Sequence, residues 1–230
     1  MMRIEDSVAV VTGGQRGIGR AIVDHLITAG ARTVYATARH PTNSVDPRVI
    51  PVPLDVTDPE SIARLVGVAR EAQIVINNAG ISVGGSLLSA TDHDLREVLD
   101  TNLYGPIRVA QAFAPILAAN GGGALVNMHS VLSWLAGSGA YGVSKAALWS
   151  ATNSLRTELR PMNTLVVGVH VGYVDTDMTR NIKAPKSSPD SVAEAILRAL
   201  REDQPEVLVD DISQYVKSQL AGPVESLTIP

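Results

Sequence analysis

TGGQRGIG, residues Thr12–Gly19, is the stretch that decides the fold. It follows a short run rich in β-branched residues, and it opens a pattern typical of an amphipathic helix. Glycine permits a tight turn, lets the backbone approach a phosphate, and leaves the N–H groups of the helix N-terminus directed at negative charge. Its spacing is TGxxxGxG, not the commoner GxGxxG. The stretch therefore predicts a phosphate-binding turn between a strand and a helix, with a plain strand-to-helix turn as the alternative.

The rest of the chain continues this strand-then-helix alternation, which indicates parallel strands joined by crossover helices. The predicted strands are Ser7–Thr12, Arg32–Thr37, Val49–Leu54, Ile74–Asn77, Ala124–Met128, Leu165–Val171 and Glu206–Val209. The predicted helices are Gly17–Ala29, Asp58–Ala72, Asp92–Ala119, Ala140–Arg160 and Pro189–Glu202. We expect an α/β fold, a Rossmann-like doubly wound sheet of about seven parallel strands with helices on both faces, in a single domain over residues 1–230.

Composition excludes several classes of function. The 230 residues are 45% hydrophobic and carry a net charge of −4 without a dense Lys/Arg run, so neither nucleic acid nor an anionic membrane is expected as a partner. The chain has no cysteine and its five histidines are scattered, so no metal site is expected. The N-terminus leaves no room for a signal peptide and no apolar run is long enough to span a bilayer, so we expect a cytoplasmic protein.

Two further turns follow predicted strands. Asp55-Val56 comes after the third strand and Asn78-Ala79-Gly80 after the fourth, at the sheet edge where open α/β folds bind ligands. The small residues of the second turn allow a flat ring to lie close to the backbone. Taken alone, it would more often be a turn that simply ends a strand.

Tyr141 and Lys145 lie four residues apart at the start of a predicted helix. This spacing puts the phenol and the ammonium on one helix face, about 5–6 Å apart at their stems. A phenol pKa near 10 falls by three units at a cost of about 4 kcal/mol, and one cation at about 4 Å supplies an energy of that order. Such a pair arises by chance in about one comparable chain in ten, so the pair alone is weak evidence for a catalytic role. Its position after the other patterns is what makes it informative.

These patterns, in this order, resemble the short-chain dehydrogenase/reductase family over about residues 5–180. The resemblance implies that Tyr141 is the general acid/base, that Lys145 lowers the pKa of Tyr141 and holds the nicotinamide ribose, and that Ser130 hydrogen-bonds the substrate oxygen. It implies that Asn102 kinks its helix and holds a water of the proton relay. The cofactor-binding residues that it implies are Gly13, Gln15, Arg16, Gly17, Ile18, Gly19, Arg39, Asp55, Val56, Asn78, Ala79, Gly80, Tyr141, Lys145 and Thr176.

The end of the second strand bears on the choice of cofactor. Where an NAD enzyme of this fold places a carboxylate for the ribose 2′-hydroxyl, this chain has Ala38 followed by Arg39. Arg16 in the glycine turn adds a second guanidinium suited to a phosphate. We therefore expect NADP(H) in preference to NAD(H), with two solvated surface arginines as the alternative.

Several assignments stay open. Ser133 competes with Ser130 for the substrate oxygen, and His129 is expected to be a hydrogen-bonded structural residue. Leu132 and Trp134 either line the substrate pocket or pack in the core. The sequence departs from the family pattern at Val171, which stands where a proline is usual. It also departs in a slightly short spacing from Ser130 to Tyr141, a compact third crossover helix, a short presumed lid over Asp177–Pro189, and a C-terminus without the usual glycine-rich ending.

The resemblance implies an oxidoreductase that interconverts a carbonyl and an alcohol on a small apolar substrate by hydride transfer. A homodimer or homotetramer is expected through Asp92–Ala119 and Ala140–Arg160. A non-catalytic dinucleotide sensor of the same fold is the alternative, although it need not keep Tyr141, Lys145 and Asn102. An epimerase or dehydratase is disfavoured because few residues follow Thr176.

Overall fold

The computed structural model describes residues 2–228. Its sheet has seven parallel strands in the order β3-β2-β1-β4-β5-β6-β7, which confirms the predicted fold class. The strands are β1 Val8–Val11, β2 Thr33–Ala38, β3 Val49–Pro53, β4 Ile74–Asn77, β5 Gly123–Met128, β6 Thr164–His170 and β7 Glu206–Leu208. Each coincides with a predicted strand to within one or two residues.

Helices cover both faces of this sheet. They are α1 Gly17–Thr28, α2 Pro59–Val68, α3 Asp92–Leu99, α4 Gly105–Ala119, α5 Gly139–Leu159, α6 Pro189–Glu202 and α7 Asp211–Ser218. α1 and α6 pack together on one face, whereas α2, α4 and α5 pack on the other. Within residues 2–228, no helix is both long and apolar enough to cross a membrane.

The core lies in two layers, one on each side of the sheet. Along β1, Ala9 and Val11 face α1 and α6, while Val10 faces the opposite layer, as the two-residue period of a strand requires. All four residues of β1 are buried, as are all four of β4. Strands covered on both faces explain why these runs read as continuously apolar in the sequence.

Two parts of the fold differ from the sequence-based prediction. The single helix predicted over Asp92–Ala119 is interrupted by a wider, π-type turn at Asp100–Tyr104, where the N–H of Gly105 donates to the carbonyl of Asp100. The second difference is α7, which no prediction included. It is only eight residues long and is capped by Asp210, whose carboxylate accepts from the N–H of Ser213 at 3.0 Å.

Candidate active site

The turn after β1 forms a cradle lined by backbone. Gly13 and Gly17 have φ of 65° and 51°, values that side chains disfavour. A Cβ on Gly19 would lie 2.1 Å from the carbonyl oxygen of Gly13, so only glycine allows the helix to start this close to the turn. Within the described residues, α1, α4 and α5 have no side-chain cap and no acid in the first turn, whereas α2, α3, α6 and α7 are each capped by a side chain. The unpaired N–H groups of α1 are thus left for an anion.

Asn78 and Thr12 tie this cradle to the end of β4. The Asn78 amide donates to the carbonyls of Thr12 and Gly13 at 2.9 and 3.2 Å. The Thr12 hydroxyl in turn accepts from the N–H groups of Asn78 and Ala79 at 3.0 and 2.9 Å. The sequence-based prediction did not include Thr12 among the site residues, although its position directly before the glycines could have indicated it. The Asn78 side chain is occupied in holding the glycine turn.

The two arginines predicted to meet a 2′-phosphate lie on the surface near this cradle. Both guanidinium groups are exposed, and neither makes a hydrogen bond or a salt bridge among residues 2–228. Gln15, between Arg16 and the glycines, is instead fixed to the loop after β2, because its amide exchanges hydrogen bonds with the backbone of Thr42 at 2.8 Å. Arg16 and Arg39 are therefore free to reorient toward a ligand.

Asp55 and Val56 lie after β3, on the same sheet edge. The Asp55 carboxylate accepts from the hydroxyl and the N–H of Thr57 at 2.7 and 2.9 Å. The Thr57 hydroxyl, chiefly, holds the pKa of Asp55 below its usual range, and the charge of Arg39 adds to the effect. Val56 is buried against Gly105, at the start of α4. The side chains of both residues are therefore engaged in contacts within the protein.

Tyr141, Ser130 and Lys145 meet at the carboxyl ends of β5 and β6. Tyr141 and Lys145 lie on the first turns of α5, with the Lys145 Nζ 5.6 Å from the centre of the Tyr141 ring. The ammonium donates to the carbonyl of Met128 at 2.8 Å. Ser130 follows β5, and its hydroxyl hydrogen-bonds the Tyr141 side chain. The three residues that the resemblance implied as the reacting centre are thus brought together.

The protein's own groups shift the pKa of Tyr141 in the direction opposite to the sequence-based expectation. Burial raises this pKa to about 12, and the hydrogen bond from Ser130 opposes the shift only in part. Burial also lowers the pKa of Lys145 to about 8. The ammonium is committed to the Met128 carbonyl and does not pair with the phenol oxygen. Tyr141 is therefore a neutral phenol at pH 7.

Ser133 takes a different role from Ser130. Its hydroxyl accepts from the N–H of Ser130 at 3.4 Å and closes the short 3-10 turn Val131–Ser133. Ser130, not Ser133, contacts Tyr141. Trp134 is almost fully buried and stacks on His170 with ring centres 3.9 Å apart, so it packs in the interior.

Asn102 lies in the π-type turn and is completely buried. Its amide accepts from the N–H of Ile81 at 2.9 Å and donates to the carbonyl of Ile81 at 2.8 Å, which fixes the segment after Gly80. It also donates to the hydroxyl of Ser144 on α5 at 3.1 Å. Asn102 therefore joins the turn after β4 to the helix that carries Lys145. Sequence reasoning missed Ser144, although it is the neighbour of Lys145.

Thr176 lies after β6 and reaches the glycine cradle. A Cβ on Gly17 would be 3.2 Å from the Thr176 methyl group, so the two segments are in contact. The presumed lid begins here, and it is closed at its base by hydrogen bonds between the backbones of Tyr173, Asp175 and Ser187. Ile18 and Ala79 are half-buried beside the cradle. No cluster able to hold a metal ion exists in the part of the chain that the structure describes.

Comparison with known proteins agrees with this geometry. The family model described as short chain dehydrogenase matches residues 7–187. The chain is 34% identical to 1-deoxy-11-beta-hydroxypentalenate dehydrogenase of Streptomyces avermitilis, over 88% of this chain and 84% of the relative. A short chain dehydrogenase of Burkholderia cenocepacia solved with NADP is 36% identical, covers 98% of this chain and 97% of its own, and has a TM-score of 0.92.

A second solved structure shares the fold with a different cofactor. It is a short chain dehydrogenase/reductase of Burkholderia phymatum in complex with NAD, 23% identical, with 100% of this chain and 98% of its own covered and a TM-score of 0.86. A nicotinamide dinucleotide is thus common to both neighbours. Sequence, fold and family model agree that this chain belongs to the short-chain dehydrogenase/reductase family.

Proposed function

We propose that this protein is an NADP(H)-dependent oxidoreductase that interconverts a carbonyl and an alcohol on a small apolar substrate, with Tyr141 as the general acid/base. The observation that carries the proposal is the contact of the Tyr141 phenol with the Ser130 hydroxyl, beside Lys145 and at the same sheet edge as the glycine cradle. A dinucleotide sensor would need the cradle but not this centre.

The residues around the cradle fit a dinucleotide. A side chain on Gly19 would fill the cradle, and the uncapped start of α1 suits a pyrophosphate. In our proposal, Gly13, Gln15, Arg16, Gly17, Ile18 and Gly19 hold the pyrophosphate side, Asp55, Val56, Asn78, Ala79 and Gly80 the adenosine side, and Tyr141, Lys145 and Thr176 the nicotinamide side. When bound, the cofactor supplies or accepts the hydride.

Arg39 and Arg16 support the choice of NADP(H) over NAD(H). Both guanidinium groups are exposed near the cradle, and neither makes a hydrogen bond or salt bridge to a described residue. A planar guanidinium binds a phosphate through paired hydrogen bonds, whereas a ribose hydroxyl offers it little. The NADP-bound neighbour from Burkholderia cenocepacia, at 36% identity, agrees with this choice.

The proton chemistry follows from the state of Tyr141. As a neutral phenol at pH 7, Tyr141 donates a proton to the oxygen that forms when a carbonyl is reduced. Ser130 holds that oxygen by a second hydrogen bond. Lys145 places a positive charge beside the phenolate left behind, and its lowered pKa lets it return a proton readily near neutral pH. The reductive direction is therefore the one that the resting site favours.

A panel of ketones and aldehydes tests the proposed function. Purified protein with NADPH is expected to lose absorbance at the nicotinamide band with at least one apolar member of the panel, and not with carboxylated analogues of the same size. Binding of NADPH without turnover of any member would instead support the sensor and contradict the proposal.

The cofactor assignment is tested by comparing Arg39→Ala with Arg160→Ala. Arg160 is also exposed but lies before β6, at the opposite edge of the sheet. Removal of one charged contact to phosphate costs about 1.5–3 kcal/mol, so Arg39→Ala should weaken NADPH binding about 10- to 100-fold and leave NADH binding within twofold. Measurement is by titration of nicotinamide fluorescence. Equal NADPH affinity in the two variants would show that Arg39 does not bind the 2′-phosphate.

A further inference from the structure

Three buried side chains outside the reacting centre form a row that ends on the peptide of Ser130. The hydroxyl of Thr152, on α5, is 2.8 Å from Nε2 of His129. Nδ1 of His129 is 3.0 Å from Nε2 of His170, and Nδ1 of His170 is 3.3 Å from the carbonyl oxygen of Ser130. All three side chains are at most 3% exposed.

The surroundings are shaped for both rings. A Cβ on Gly168 would lie 2.7 Å from Cε1 of His129, so the glycine leaves the space that the ring fills. The ring of His170 stacks on Trp134 with an angle of 16° between the planes. A methyl group at Gly168 would collide with the His129 ring, and a smaller aromatic side chain in place of Trp134 would remove part of the surface on which His170 stacks. The two histidines are therefore built into the packing around Ser130.

Counting protons decides the direction of the hydrogen bonds. The Thr152 hydroxyl has one proton, which goes either to the carbonyl of Leu148 at 2.7 Å or to His129. If Leu148 takes it, His129 must donate from Nε2 and His170 must donate from Nε2. Nδ1 of His170 then faces the Ser130 carbonyl as a second acceptor, and no bond forms.

In the other arrangement, every donor and acceptor of the row has a hydrogen-bond partner. Asn127 donates to Thr152 at 2.9 Å, Thr152 donates to His129, His129 donates from Nδ1 to His170, and His170 donates from Nδ1 to Ser130. The Leu148 carbonyl then loses only the hydrogen bond from the Thr152 hydroxyl. It lies within α5 and still accepts the backbone hydrogen bond of the helix. Because an unpaired buried acceptor costs about 1–3 kcal/mol, this arrangement is the stable one.

Both rings are neutral in this row. Burial lowers the pKa of His129 well below its usual value, and lowers that of His170 to about 3. The positive groups of Lys145, Arg156 and Lys217 act in the same direction. The Glu206 carboxylate is 3.9 Å from Nε2 of His170 but is paired with Lys217 at 2.7 Å. A doubly protonated His170 is therefore disfavoured.

We propose that His129 and His170 are positioning residues. Both carry their proton on Nδ1, and together with Thr152 they form a one-directional hydrogen-bond chain that holds the Ser130 peptide, so that the Ser130 hydroxyl stays directed at Tyr141. The consequence for catalysis rests on the proposed function, whereas the placement of the protons does not.

Nuclear magnetic resonance of protein labelled with ¹⁵N in its histidines tests the proton placement. Long-range spectra are expected to show Nδ1–H for two histidines that do not titrate between pH 6 and 8, assigned with His129→Gln and His170→Asn. The other three histidines are partly or fully exposed and serve as internal references. An Nε2–H tautomer at His170 would overturn the chain whether or not the protein is an enzyme.

Kinetics of two replacements at His170 test its effect on Ser130. His170→Phe keeps an aromatic ring on Trp134 but has no donor, whereas His170→Asn keeps a donor near the place of Nδ1. Because small misplacements of a reacting group cost up to about 100-fold, kcat should fall about tenfold in His170→Phe and about threefold or less in His170→Asn. The NADPH dissociation constant should change less than twofold in both.

Thr152→Val supplies a variant that keeps both rings, and Thr37→Val is its matched control. Thr37 is equally buried, but its hydroxyl has no partner among residues 2–228. We expect kcat to fall about threefold or more in Thr152→Val and to stay unchanged in Thr37→Val. If the wild type turns over substrate and both Thr152→Val and His170→Phe keep the wild-type kcat, the positioning role is overturned. No turnover in the wild type would contradict the proposed function itself.

Discussion

Tyr141 and Lys145 show how burial sets the chemistry of single residues. Both are held at the start of α5 with little access to water, and each disfavours its charged form: the pKa of the phenol rises to about 12 and that of the ammonium falls to about 8. A lysine that stays charged at pH 7 in this place costs stability. The hydrogen bond to the Met128 carbonyl offsets only part of that cost.

Lys145→Met is expected to stabilise the fold at pH 7 by about 1–2 kcal/mol. Below pH 8 the lysine is protonated in the folded and the unfolded chain, so the cost of burying its charge is fully present. Between pH 8 and 10.5 the folded chain releases this proton while the unfolded chain keeps it, so the cost disappears as pH rises. A shift of about 2.5 units bounds the cost at roughly 3 kcal/mol, less about 1 for the lost hydrogen bond.

The measurement is urea unfolding of wild type and Lys145→Met at pH 7 and 9.5. The stability gap between them should narrow at the higher pH. Lys183→Met, at an exposed position, should leave stability within about 0.5 kcal/mol at both values. A gap of constant size would show that Lys145 has an ordinary pKa in the folded protein.

At the scale of elements, the glycine turn and the interrupted helix position the site. The turn could be predicted because its glycines meet a steric requirement that any sequence must obey. The pattern of apolar residues continues through the π-type turn at Asp100–Tyr104 and does not reveal it, because its cause is tertiary; only the family resemblance implied a kink at Asn102. There, Asn102 pairs with the backbone of Ile81 and with Ser144, which lie far away in the sequence.

Gly19→Ala tests the cradle. The added Cβ would lie 2.1 Å from the Gly13 carbonyl oxygen and 2.5 Å from the Asn78 amide, so the turn must move. We expect NADPH affinity to fall at least about tenfold, together with a loss of stability of about 1–3 kcal/mol. Gly67→Ala on α2 is the matched control, since its Cβ meets nothing within 4 Å and alanine favours a helix by about 1 kcal/mol.

Calorimetry and NADPH titration of both variants give the answer. Gly67→Ala should melt at a higher temperature than wild type with unchanged affinity. Wild-type affinity in Gly19→Ala would contradict the cradle as the phosphate site.

For the whole molecule, the sheet could be predicted almost residue by residue. Strands such as Val8–Val11 and Ile74–Asn77 are buried on both faces. Such strands have apolar residues at nearly every position, so they are recognisable in the sequence as short continuous apolar runs. The direction of the pKa shift at Tyr141, the short helix α7 and the row from Thr152 to Ser130 could not be predicted, because each depends on contacts between distant segments. One domain over residues 1–230 stays a prediction, as do the roles of the site residues.

Homo-oligomer formation is expected through α4 and α5. Tyr104, at the start of α4, and Val143 on α5 are 50% and 43% exposed, and Ala147 and Ala151 are not fully buried. Small residues allow two helices to approach closely, so Ala147→Glu would place a charge in that interface. Sedimentation velocity should give two or four chain masses for the wild type and a shift toward one for Ala147→Glu. A monomeric wild type would contradict this expectation.

Single-turnover reduction by Tyr141→Phe tests the central claim most directly. Phenylalanine keeps the ring but has no proton to donate, and loss of a general acid slows a reaction about 10²–10⁴-fold. With NADPH bound to saturation and a substrate found in the panel, the nicotinamide absorbance of Tyr141→Phe should decay at least about 100 times more slowly than that of the wild type, with NADPH affinity unchanged. Decay at the wild-type rate would contradict Tyr141 as the proton donor.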